Sequence, residues 1–106
     1  DWQALCTDYD KYSKSFQVLT YASLIENTIS FEGPVEAGII SFKNLRSGFL
    51  KFAKKDSPRQ KTGKKTNIDT EILTAFQEEL KKLIIEICDP NVAFEEKEIK
   101  EFYGAY

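Results

Sequence analysis

The chain has 106 residues, of which 42% are hydrophobic, 13% aromatic and 30% charged, and 15 Lys+Arg against 17 Asp+Glu give a formal net charge of −2. At this length a folded chain hides roughly two-thirds of its extended surface, enough for one modest core, so residues 1–106 are expected to form a single domain rather than a disordered segment. The sequence has no His, which removes Ser-His and Cys-His nucleophile pairs, imidazole acid–base chemistry and most zinc sites, and no apolar run nears the roughly 20 residues that span a bilayer.

Taken in chain order, the first predicted element is a helix from Ser13 to about Asn27, with Ser13 as its cap. Asp8-Tyr9-Asp10 reads as the loop leading into it. Gln17, Tyr21, Leu24 and Thr28 fall along one stripe of this helix and Phe16, Leu19 and Ser23 along another, so both faces are expected to be partly covered. Gly33-Pro34 turns the chain into Val35–Phe42, a nearly continuous apolar run that suits a strand buried on both faces. Phe49–Ala53 alternates as a second strand, and the two are expected to pair as an antiparallel hairpin with a wide turn.

The strongest pattern is Thr70–Ile87. Ile72, Leu73, Phe76, Leu80, Leu83, Ile84 and Ile87 recur with the spacing of one apolar face at about 3.6 residues per turn. Asp69 is placed to cap it, Ile68 and Leu73 to staple its entry, and Asp89-Pro90 to end it. Glu71, Gln77, Glu78, Lys81 and Lys82 lie opposite, so this helix is expected to rest on the sheet with its polar side in water. Glu95–Tyr103 is acidic and reads as a last weak helix or a tail. The element order predicts an α+β class, a small sheet with a strand hairpin flanked by two helices.

The charge is concentrated. Lys43, Arg46, Lys51, Lys54, Lys55, Arg59, Lys61, Lys64 and Lys65 face only Asp56 within residues 43–65, a local balance of +8, against −4 before and −6 after. Such a block attracts phosphate backbones without reading base sequence. Lys43, Arg46, Lys51 and Lys54 are interleaved with apolar residues and are expected on an ordered element, with Lys55 beside them as further DNA-binding candidates. Asp56–Asn67 has no apolar residue and reads as a mobile loop. Cys6 and Cys88 lack metal-ligand spacing and are expected to be reduced and half-buried. The start at Asp1-Trp2, with no Met in the chain and no signal-peptide layout, is expected of a cytoplasmic piece of a longer polypeptide.

Lys14-Ser-Phe-Gln17-Val-Leu-Thr-Tyr21-Ala-Ser-Leu24 resembles the Q-x-x-x-Y helix of RecB-type nucleases of the PD-(D/E)XK superfamily. Pro34–Lys43 with Gly48–Phe52 looks like the strand pair that follows it there, and Thr70–Ile87 with Asp89-Pro90 and Phe94 is similar to the family's closing helix and exit. The resemblance implies a partial restriction-endonuclease-like core from the C-terminal half of a Mg²⁺-dependent DNA exonuclease domain, in a helicase-nuclease of recombination and repair. It places Gln17 and Tyr21 beside the catalytic cleft. The family's metal-binding Asp and acidic-x-Lys pair precede that helix, and only twelve residues do so here. The fragment is therefore expected to hold no metal and to be inactive, with Mg²⁺ belonging to the parent protein. Its expected partners are DNA, the remainder of the parent chain and a second copy covering its sheet edges.

Two other classes fit the same residues. One is a non-catalytic nucleic-acid-binding module that uses residues 43–65. The other is a protein-interaction domain that presents the Thr70–Ile87 helix.

Overall fold

The computed structural model describes residues 1–29, 33–57 and 59–98. Two short-range caps start the chain. Asp1 accepts the N–H groups of Gln3 and Ala4 at 3.0 and 3.3 Å and begins α1 (Trp2–Thr7), which the sequence reading did not anticipate. Asp8 then accepts the N–H of Lys11 at 3.2 Å and begins α2 (Tyr9–Thr28). The cap of α2 is thus Asp8 and not Ser13, and Tyr9 and Asp10 belong to its first turn rather than to a loop. An aspartate at the cap satisfies an orphan N–H and complements the positive end of the helix dipole, which a mid-helix serine cannot match.

The hairpin forms as expected but shorter. β1 (Gly38–Ile40) pairs antiparallel with β2 (Phe49–Lys51), placing Gly38 opposite Lys51, Ile39 opposite Leu50 and Ile40 opposite Phe49. A 3₁₀ turn at Leu45–Ser47 and Gly48, whose φ of +63° is open to glycine, make the wide connection. The strands approach so closely at Gly38 that a Cβ there would lie 2.2 Å from the Leu50 carbonyl oxygen. The expected burial of Val35–Phe42 on both faces is corrected. Ile40 is 64% exposed and Phe42 91% exposed, because a two-stranded sheet covers only its inner face, where Ile39 and Phe52 pack.

α3 (Thr70–Cys88) begins at Asp69, which accepts the N–H of Ile72 at 2.9 Å, and is the element closest to its expected bounds. Its packing differs from expectation. The core consists of Leu5 from α1, Val18 and Leu19 from α2, Ile68, and Ile72, Leu73 and Phe76 from α3, so α3 rests on α1 and α2 rather than mainly on the sheet. Ile68 anchors the sheet side by donating its N–H to the Val35 carbonyl at 2.7 Å. The residues of α3 beyond that anchor meet the two helices instead. Ile84, Ile85 and Ile87, in the last turns of α3, are exposed.

The described residues form an α+β arrangement of three α-helices and a two-stranded antiparallel sheet. No helix among the described residues is long and apolar enough to cross a membrane. Residues 99–103 of the expected C-terminal helix or tail lie outside the described residues, and residues 95–98 form no helix.

Candidate functional site

The basic segment is folded back on itself. Beyond β2, Lys54 and Lys65 form an antiparallel bridge, exchanging backbone hydrogen bonds of 2.8 and 3.0 Å. Residues exchanging both bonds project their side chains to the same side, so the bridge sets two lysines side by side. It also closes Lys55, Arg59, Lys61 and Lys64 into one loop, and all four are exposed. Gln60 organises that loop from inside. Its Oε1 accepts the N–H of Asp56 at 2.7 Å, its Nε2 donates to the Gly63 carbonyl at 3.0 Å, and its own N–H donates to the Ser57 carbonyl at 3.1 Å. The segment expected to be an unstructured polar loop therefore has internal hydrogen bonding, which its composition concealed.

Two of the lysines are neutralised locally. Lys51 lies 2.6 Å from the Glu36 carboxylate, which also accepts the Thr66 hydroxyl at 3.3 Å. The hydrogen bond from Lys51 holds the Glu36 carboxyl below its ordinary range. Lys65 pairs with Asp69, four residues on at the cap of α3; that bond lowers the Asp69 carboxyl, assisted by the Ile72 N–H, and raises the Lys65 ammonium. Of the five expected DNA-binding residues, Lys51 is thus engaged by a carboxylate. Lys43 and Arg46 are exposed on the hairpin connection, Arg46 within its 3₁₀ turn and Lys43 ahead of it, so they do not sit on a strand.

Lys54 and Lys55 border a cavity of about 460 Å³ between the start of α2, α1 and the chain leaving β2. Its lining also includes Trp2, Tyr12, Phe52 and Lys11, whose Nζ lies 5.1 Å from the Tyr12 ring centroid. This grouping was missed in the sequence. The available signal was the pairing of Lys11 with Tyr12 and the i, i+3, i+4 spacing of Trp2, Leu5 and Cys6, too short a stretch to register as a helix.

Gln17 and Tyr21 stand together, with the Gln17 amide donating to the Tyr21 hydroxyl at 3.4 Å. Both are exposed, as are Leu24 and Thr28, while Leu19 and Ser23 are buried on the other side, so only one face of α2 is covered. Neither Gln17 nor Tyr21 lines the 460 Å³ cavity. Among the described residues no group of three or more Asp, Glu, Cys or His side chains is placed to hold a metal ion. Cys6 and Cys88 are free thiols, Cys6 half-buried and Cys88 exposed rather than half-buried. Burial, with a smaller contribution from Glu79, pushes the Cys6 thiol up, away from the reactive thiolate. What the cavity offers chemically is a set of lysine ammonium donors together with aromatic side chains. Compared with protein-family models, curated proteins and solved structures, the chain has no match.

Proposed function

We propose that the chain binds nucleic acid through its phosphate backbone, using the hairpin connection and the closed loop between Lys43 and Lys65. The observation that carries this reading is the Lys54–Lys65 bridge. Like charges set directly opposite each other oppose strand pairing. Asp69 offsets Lys65, while Lys54 and Lys55 are left bordering the cavity. A polyanion seated there meets the charge of Lys54 and Lys55 and releases its own counterions. Phe42 and Phe49, exposed beside Lys43 and Arg46, add apolar surface on which unpaired bases can stack. The test is charge reversal. Lys54→Glu with Lys55→Glu should weaken binding to a fluorescent oligonucleotide at least about tenfold, whereas Lys81→Glu on α3 should leave it within about twofold. Equal losses in both would contradict the assigned surface.

A second reading follows from the RecB-type resemblance. In it the chain is the C-terminal part of a Mg²⁺-dependent exonuclease core with a restriction-endonuclease-like fold, and the metal-binding carboxylates belong to a preceding segment. It is supported by the Gln17–Tyr21 pair, two polar groups one turn apart and open to solvent, able to orient a phosphate or a water. On this reading the isolated chain binds DNA without cutting it in Mg²⁺ or Mn²⁺. Cleavage that tracks with the chain through purification would overturn it.

A further inference from the structure

We propose that the cavity walled by Trp2, Tyr12 and Phe52 and bordered by Lys11, Lys54 and Lys55 takes one unpaired nucleobase with its phosphate, so that the chain prefers single strands to duplex. This rests on the nucleic-acid reading above and adds a ligand class to it. The volume of about 460 Å³ lies within the range of pockets that enclose small molecules. Its three aromatic residues all pack against the core and border the cavity as well, so the packing that holds each ring also presents it to a ligand. They come from three places, Trp2 from α1, Tyr12 from α2 and Phe52 from the end of the hairpin. The cavity therefore exists only in the folded chain.

Three lysines, Lys11, Lys54 and Lys55, contribute to the cavity's lining and supply the charge for a phosphate. Lys11 already rests near the face of the Tyr12 ring, the position from which an ammonium attracts both a π-face and an anion. Asp1 also borders the cavity, but its carboxylate is engaged with the N–H groups of Gln3 and Ala4. Asp1 and Asp56 both oppose an anion, and the three lysines outnumber them. A duplex cannot enter, because its bases are stacked on each other and paired; a single strand turns a base out at little cost.

Trp2 is the single tryptophan of the sequence, so intrinsic tryptophan emission reports on this cavity alone. The complete chain is titrated at low salt with oligo-deoxythymidine, with the oligothymidine–oligoadenine duplex and with thymidine monophosphate, following Trp2 emission and, separately, anisotropy of labelled DNA. The single strand should change Trp2 emission saturably and bind about fivefold or more tighter than the duplex. Tyr12→Ala should remove that preference while duplex binding persists, which also shows that the variant is folded. Equal binding of both forms with unchanged emission overturns the pocket and leaves the electrostatic reading standing. Binding of neither overturns both. An emission change with the mononucleotide but no strand preference assigns the cavity to free nucleotides and overturns the proposal for strands.

Discussion

Phe76 has no exposed surface and meets Phe16 edge to face, with ring centroids 5.6 Å apart and planes at 74°. Truncating it opens a hole where α2 and α3 join, so Phe76→Ala should cost about 3–5 kcal/mol in urea unfolding. A loss near zero would show that the core lies elsewhere. Ser23 is the opposite case. It is buried in α2 and its hydroxyl has no hydrogen-bond partner among the described residues, so its desolvation is carried without return there. Ser23→Ala removes the hydroxyl and improves helix propensity; stability should rise by about 1 kcal/mol, and a fall of that size would contradict the unpartnered assignment. Phe76 was legible in the sequence because it repeats with Ile72 and Leu80 along one helical face. Ser23 was placed on a stripe with Phe16 and Leu19, but the pattern gave both faces of this weakly amphipathic helix as partly covered and did not distinguish the buried side from the exposed one.

At the scale of elements, α3 was the most legible because three signals agree on it: apolar periodicity, an aspartate cap and a closing Asp89-Pro90. The boundary between α1 and α2 was illegible because both are opened by aspartates only seven positions apart, and the short apolar pattern of Trp2, Leu5 and Cys6 is split from the longer helix by Asp8. The apolar run Val35–Phe42 was overread for a different reason: hydrophobicity reports a tendency to be covered, and among the described residues no second layer covers Ile40 and Phe42. Asp69 gives the element-scale prediction. Its carboxyl is lowered first by Lys65 and then by the Ile72 N–H, so its contribution to stability is complete above the ordinary carboxylate range. It fades as pH falls through the lowered value. Thermal unfolding should show the wild type losing Tm below about pH 4, with Asp69→Asn lower in Tm at neutral pH and less sensitive to acid. Parallel pH profiles for the two proteins would contradict the role of this cap.

At the scale of the molecule the tasks are separated: among the described residues α1, α2 and α3 supply most of the interior, and the hairpin with its closed loop carries the concentrated positive charge. Composition revealed the charge, and spacing revealed the helix that supports the loop's far end. Neither could reveal the Lys54–Lys65 bridge, a pairing of two like-charged residues from separate stretches of chain, nor the cavity, whose walls come from three separate stretches of chain. The pairing of Lys51 with Glu36 was hidden as well, since it depends on the register of β1 and β2. The most direct test of the central claim, that this surface grips phosphates, is the salt dependence of binding to a single-stranded oligonucleotide, measured by anisotropy. If about five cations engage the strand, the logarithm of the binding constant should fall linearly with the logarithm of salt concentration at a slope of about −3.5. A slope near zero, or no binding at low salt, would contradict it.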